Sequence, residues 1–381
     1  MTLKSGILDF ENCRIYAISE QDSSIIKSDD DSEINISNSL IRTTIPLYEG
    51  KDGKTIIDDS QIYIQNRQFL KCKTINIKDS IVKYQILLNT DEYKKLEAER
   101  AVDKIFSDNT SFTFFESNKG TIKIENSAFK GLYKLFSYQS RFDYIEIENS
   151  VFDKYCNLGD LSCSDDKGII KNTIINQISD ELKIRNFNIK DSEIKNSENE
   201  KINISYSKIN DLIINKIRNI TFDFCSFENL KATNIETINV GKENKFFKTS
   251  FNNCYFGRLY GDGNEFYNSV FSNATFESNS YRKDYLDFLF TKKDFKDTKI
   301  ESCLFKNINV KNGYVINLDC NEKVKYELFE LKNCIFENCE SENSSFISLE
   351  GAYWSRFSRN IKTVILGSER DNIGLENLQN K

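Results

Sequence analysis

The chain has 381 residues, 39% of them hydrophobic and 29% charged, which is enough apolar material for a sizeable core. It contains no histidine, so Ser-His-Asp and Cys-His nucleophile activation and every His-ligated metal site are excluded. A net charge of −6 offers no basic field for nucleic acid, and 15 glycines with a single proline exclude collagen-like and Pro/Gly-rich disordered chains.

Residues 1–10 (MTLKSGILDF) hold no apolar run long enough for a signal peptide, and no segment approaches the roughly 18 apolar residues of a membrane-spanning helix. Two locations stay open on this reading. The protein stays inside the cell, or the chain is a fragment or lacks its leader and belongs to the cell surface or the extracellular space.

From the first coil onward one pattern recurs: two apolar residues two apart, a polar residue, a small residue, any residue, and another apolar one. It stands as Ile122-Lys123-Ile124-Glu125-Asn126-Ser127-Ala128-Phe129 and again as Ile145-Glu146-Ile147-Glu148-Asn149-Ser150-Val151-Phe152. With the small residue as anchor, copies fall at Cys13, Ser39, Ser80, Ser127, Ser150, Thr173, Ser192, Ser207, Cys225, Cys254, Ser269, Ala274, Cys303 and Cys334, those at Ser269 and Ala274 overlapping. Ile122 and Ile124 share one face of a strand, but Ser127 and Phe129 also behave as inward residues, and the step from 124 to 127 is odd. The alternation must slip by one residue, which a single left-handed residue achieves. Asn tolerates that conformation best among residues with a side chain. Asn occupies the slip position in nine of the fourteen copies (12, 38, 126, 149, 172, 253, 268, 273, 333) and Asp in two (79, 191); Tyr206, Phe224 and Ser302 are the exceptions.

Anchor steps of 23, 23, 19, 18 and 20 residues match one coil of a solenoid, with coils stacked about 4.8 Å apart. The step of 41 from Ser39 to Ser80 reads as two coils, one with a degenerate motif. The step of 47 from Ser80 to Ser127 carries an insertion at 91–106, where Leu96, Val102 and Ile105 stand at near-helical spacing behind leading acids. A helix against the coil wall is expected there. A second insertion is expected at 281–295, between Ala274 and Cys303. The prediction is an all-β, right-handed parallel β-helix solenoid over residues 1–350, its coils opening near residue 6, with small helical insertions and a C-terminal cap or tail at 351–381. The five-residue steps of Phe266, Phe271 and Phe276 suggest the rival pentapeptide-repeat helix, but that period is not seen beyond such short runs.

The copies Phe10-Glu11-Asn12-Cys13, Phe251-Asn252-Asn253-Cys254, Phe266-Tyr267-Asn268-Ser269, Phe271-Ser272-Asn273-Ala274 and Phe336-Glu337-Asn338-Cys339 carry a resemblance. They are similar to the Phe/Asn motif of polymorphic outer-membrane-protein-like surface repeats of bacteria and parasitic protists, within the right-handed parallel β-helix, pectin lyase-like class. The resemblance implies a surface or adhesion role. The chain departs from that motif in spacing Phe and Asn by one residue rather than two, and in lacking the Gly-Gly-Ala companion.

Five of the ten cysteines (13, 225, 254, 303, 334) occupy the small inward slot, where Ser, Thr and Ala also stand, so the slot reads as selecting size. No CxxC occurs, and of the others Cys156 with Cys163 is the best candidate pair for a bond. Many β-helix proteins cleave acidic polysaccharides, and galacturonase-like members use Asn-Thr-Asp, an Asp pair and Gly-His-Gly. Here Asn89-Thr90-Asp91 opens the expected helix, where it reads as an N-cap, and the His element cannot exist. Asp58 with Asp59, Asp165 with Asp166, and Asp262 with Glu265 are carboxylate pairs of the kind acid/base hydrolysis needs, but adjacent acids most often sit in solvated loops. The oxygen-rich run Ser28-Asp29-Asp30-Asp31-Ser32-Glu33 reads as a turn tip rather than a Ca²⁺ loop.

No catalytic residue, metal set or cofactor is therefore assigned. Tyr281, Tyr285 and Trp354 stand outside the repeat and are the candidate binding residues for a sugar or protein surface, with capping of the solenoid the other reading of Trp354. Two functions remain. The first is a non-catalytic solenoid for adhesion or scaffolding, binding a protein or glycan through one face, with no nucleic acid and no membrane span. The second is a carbohydrate-active β-helix enzyme, a polysaccharide lyase or glycoside hydrolase, with an unrecognised acidic site. A flat wall of mixed charge at Lys123, Glu125, Glu146 and Glu148 favours the first; a deep groove lined by two carboxylates favours the second.

Overall fold

A computed structural model describes residues 1–350 apart from 18–23, 29–30, 51, 65–68, 85–114, 117–118, 131–134, 137–141, 153–155, 157, 165–166, 177–181, 242, 260–263, 278–297, 312–315, 320–328, 333, 339 and 343–346. Among the described residues every regular element is a β-strand. The fold is the expected parallel β-helix, in which each strand pairs in parallel with its equivalent one coil away. The chain divides into two units, Met1–Glu193 and Ile194–Lys381. The helices expected at 91–106 and 281–295 and the cap or tail at 351–381 lie outside the described residues.

In the first unit a coil has three walls. Strand Thr74–Lys78 lies on the first wall, in register between Lys54–Asp58 and Thr121–Glu125. After the corner, Ile81–Tyr84 lies on the second wall between Gln61–Ile64 and Ala128–Lys130. The short strands Thr2–Leu3, Ile26–Ser28, Tyr48–Gly50, Leu70–Lys71 and Phe115–Glu116 form a separate parallel sheet, the third wall. Stacking in register turns each inward position into a column, so Ile75, Ile122 and Ile145 are fully buried above one another, and the rings of Phe129 and Phe152 stack at 5.0 Å. Gly168 faces Phe187 on the next coil, and a Cβ there would come within 2.5 Å of its ring.

The corners are where sequence and structure agree most closely. Thirteen of the fourteen expected slip positions have φ between +46° and +54°, including the exceptions Tyr206, Phe224 and Ser302; Asn333 lies outside the described residues. A left-handed residue with a full side chain costs about 1–2 kcal/mol. At Tyr206 and Phe224 the rings stack across adjacent coils, 4.8 Å apart and 11° from parallel, which offsets part of that cost. The degenerate coil is found where expected: Asp59 turns with φ of 41° and is followed by the buried Ser60.

The small slot after the corner does more than select size. Ser39, Ser60, Ser80, Ser127, Ser150, Thr173 and Ser192 each donate their hydroxyl to the carbonyl two residues earlier, at 2.6–2.9 Å. All six of those serines also accept the backbone N–H of the slot residue one coil before, at 3.0–3.3 Å. A buried N–H at each slip is thereby paired where sheet geometry has broken. Cysteine meets half of this requirement: Cys225, Cys254 and Cys303 donate to the same carbonyl at 3.3–3.4 Å.

In the second unit the corner recurs every five residues. Left-handed residues stand at 206, 211 and 216, at 224, 229 and 234, and at 243, 248 and 253, then at 268 and 273 and at 302 and 307. The five-residue step seen at Phe266 and Phe271 is thus no short run but the side length of these coils, a correction to the sequence reading. Pairs such as Ser269 and Ala274 are successive corners of one coil rather than overlapping copies. Inside, Phe227, Phe246 and Phe266 stack at 4.7 Å per step, and Phe251, Phe271 and Phe305 at 5.1 and 4.8 Å. Buried Asn244 and Asn264 occupy the small slot, Asn264 Oδ1 accepting from the Asn244 N–H at 2.9 Å and its Nδ2 at 3.1 Å.

Candidate functional site

The third corner of each coil in the second unit builds an external amide ladder. Asn234 Nδ2 donates to Asn215 Oδ1 at 3.1 Å, Asn253 Nδ2 to Asn234 Oδ1 at 2.7 Å, Asn273 Nδ2 to Asn252 Oδ1 at 2.8 Å, and Asn307 Nδ2 to Asn273 Oδ1 at 3.0 Å. Each amide has two N–H donors, and the ladder uses only one of them. Next to the ladder an open groove of about 660 Å³ runs over three coils and reaches Asn273 on a fourth. Arg218, Glu236 and Tyr255 follow corners 216, 234 and 253 by two residues, so successive coils set a guanidinium, a carboxylate and a phenol beside the amides. Arg218 Nε lies 3.8 Å from Glu236 Oε2, and both side chains are more than half exposed.

The groove contains no activated nucleophile. Its Cys254 is buried, and loss of solvation pushes the thiol up to about 12, so it stays protonated at neutral pH. Cys163 and Cys225 are driven to about 12 for the same first reason. Cys303 rises through the hydrogen bond it shares with Cys334 and through burial. Among the described residues there is no disulfide, Cys156 and Cys163 included, and no group of three Cys, Asp or Glu side chains placed to hold a metal.

The chain matches no protein-family profile and no characterised protein sequence. It is similar to a solved structure, a hyperthermoactive exopolygalacturonase from Thermotoga maritima, at 8% identity and a TM-score of 0.27, over 83% of this chain and 82% of that one.

Tyr281, Tyr285 and Trp354 lie outside the described residues, as do Asn89, Thr90, Asp91, Asp165, Asp166 and Asp262. Glu265 is described: it takes Lys245 at 3.3 Å and the Tyr267 hydroxyl at 3.0 Å. Asp58 and Asp59 are not loop residues, since Asp58 closes a first-wall strand and Asp59 is the corner itself. Ser28 and Ser32 share a hydrogen bond of 2.6 Å between their hydroxyls.

The mixed-charge wall is as expected. Lys54 pairs with Glu33 at 3.1 Å, Lys123 with Glu146 at 2.9 Å and Lys171 with Glu148 at 3.7 Å, each across adjacent coils. Pairs this exposed contribute at most about 1 kcal/mol each. Tyr144 stands above this wall, its phenol pushed up to about 12 by loss of solvation and then by its hydrogen bond to Glu146.

The groove residues were not singled out from sequence. Arg218, Glu236 and Tyr255 are 18 and 19 residues apart. Only the register of stacked coils makes them neighbours.

Among the described residues no helix is long and apolar enough to cross a membrane.

Proposed function

We propose that this protein is a non-catalytic β-helix that acts in adhesion or scaffolding, holding a glycan chain along the amide ladder and groove of its second unit. The observation that carries this reading is the groove's lining: a row of side-chain amides, one phenol, two cations and a single carboxylate, Glu236, beside Arg218. Glycoside hydrolysis uses two carboxyl groups about 5–9.5 Å apart. One carboxylate next to a guanidinium serves recognition instead. Amides repeated at each coil match hydroxyls repeated along a sugar chain, and Tyr255 supplies an aromatic surface for a ring.

The test combines binding and turnover on one panel of neutral and uronate-containing polysaccharides. Binding by calorimetry is expected, falling at least about tenfold in Arg218→Gln/Tyr255→Ala, as when buried recognition contacts are removed. No new reducing ends or unsaturated products should form. Product formation that disappears in Glu236→Gln would establish the enzyme instead.

A further inference from the structure

The outer face of the second wall of the first unit differs in kind from the first wall beside it. Its outward residues form two columns. One runs Tyr16, Arg42, Tyr63, Lys83, Lys130, and the other Leu40, Gln61, Ile81, Ala128, Val151, Ile174, each in register from coil to coil. Arg14, Lys83 and Lys130 are exposed, and none of Arg14, Arg42, Lys83 and Lys130 has an acidic partner among the described residues. Asp59 and Asp79 stand at the corner beside this wall, and Lys78 on the first wall lies 3.9 Å from Asp79. Arg42 is held by rings rather than by charge. Its guanidinium lies 5.9 Å from the centroid of Tyr16 and 5.4 Å from that of Tyr63, and its buried Nε has no hydrogen-bond partner.

On a chain of net charge −6, the described strands from Arg14–Ala17 to Ile174–Asn176 carry no outward carboxylate on this wall, the first being Glu193, one coil beyond Ile174. Beside the cations, Ile81 is 43% exposed and Val151 36%, apolar surface that neighbouring coils leave open to water. The two columns sit two residues apart along each strand, about 6.6 Å, and the aliphatic one extends over about 24 Å.

We propose that this face is a docking surface for an acidic amphipathic polypeptide segment, independent of the glycan groove of the second unit. Charge complementarity selects the anion, and the aliphatic column selects the class. A polyanionic sugar or nucleic acid brings no apolar side chains to cover Ile81 and Val151. A helix of about 16 residues spans the 24 Å column, one face apolar toward Leu40, Ile81, Val151 and Ile174, its flanking acids toward Arg42, Lys83 and Lys130.

The experiment uses the full chain and a fluorescent peptide of about 16 residues with Leu at helical spacing flanked by Glu, read by anisotropy. Binding is expected, about tenfold weaker in Arg42→Gln/Lys83→Gln and, separately, in Ile81→Ser/Val151→Ser, and weakened by salt in the unmutated chain. Lys123→Gln/Lys171→Gln on the first wall should leave it unchanged, with far-UV circular dichroism confirming that every variant is folded. The proposal is overturned if the unmutated chain does not bind, if polyglutamate without Leu binds as tightly, if the first-wall variant loses binding equally, or if phosphatidylserine vesicles bind where the peptide does not.

Discussion

Replacing Ser127 by alanine removes one hydroxyl from the middle of the buried ladder and separates two explanations of why serine recurs there. Ser127 Oγ accepts the Ser80 N–H at 3.2 Å and donates to the Glu125 carbonyl at 2.7 Å, and the residue is 3% exposed. The Glu125 carbonyl keeps a second partner, the Asp79 N–H at 3.0 Å, so its loss is small. The Ser80 N–H has no replacement. An orphaned buried donor costs about 1–3 kcal/mol, and about 2 kcal/mol is expected here, a factor of about 30 in the local opening equilibrium. Because stacked coils open locally, the direct assay is hydrogen exchange at the Ser80 amide, supported by urea unfolding followed by circular dichroism. Ser127→Cys should fall between the native chain and the alanine variant, since a thiol donates to the carbonyl but accepts weakly. Equal stability of the alanine and cysteine variants, with Ser80 exchange unchanged, would refute the hydrogen-bond account and return the slot to a choice of size alone.

Cys254→Ser keeps the donor to the Asn252 carbonyl and should cost less than about 1.5 kcal/mol in thermal unfolding. Phe246→Ala removes the middle ring of a three-coil stack and should cost about 3–5 kcal/mol, read as a lowered urea midpoint. Gly168→Ala drives a methyl into the Phe187 ring and should cost about 1–3 kcal/mol, recovered when Phe187 is shortened to Leu in the same chain. Alkaline pH should destabilise the fold: the thiols of Cys72, Cys163, Cys225 and Cys254 stay protonated up to about 12 in the native protein but ionise near 8.5 once unfolded. Their contribution is complete below about pH 8.5 and drains away as pH rises toward 12, and a melting temperature that is flat over that window would contradict their burial.

The corner could be read in the sequence because it imposes a phase slip that polar and apolar letters record directly. Even Tyr206 and Phe224, with no favourable residue type, were placed by the inward residues around them. Of the second and third corners of the later coils, 253, 268, 273 and 302 were read and 211, 216, 229, 234, 248 and 307 were not: Asp211, Lys216 and Lys248 carry no Asn, and Asn229, Asn234 and Asn307 are followed by Leu230, Ile235 and Ile308 in place of a small residue. Their signal was the inward pair that follows each one, Leu212 with Ile214 and Thr249 with Phe251. The hydroxyl ladder was hidden for another reason: a serine chosen for its hydrogen bonds and one chosen for its volume are the same letter, and only the distance to the neighbouring coil tells them apart. The groove was the least legible. Its residues share no motif, and each was an ordinary outward position until stacking brought them together.

The five-residue sides of the second unit divide the chain into metered and unmetered stretches. From corner 211 to 216, 229 to 234, 248 to 253, 268 to 273 and 302 to 307 the count is always five, while successive second corners lie 18, 19, 20 and 34 residues apart. All the variation in coil length falls between a third corner and the second corner of the next coil. A residue gained or lost within a five-residue side would turn buried Phe271 or Phe305 outward and shift every column above it. Beyond the third corner the chain continues as strand, through residues 217–222 and 235–240, and it is on this side that coil length already differs, corners 216 and 224 being 8 residues apart and 234 and 243 being 9. The side between a third corner and the first corner of the next coil is therefore where the register of the stack tolerates a change of length, and a tag or domain grafted into the chain belongs there, while the metered sides hold the columns in phase.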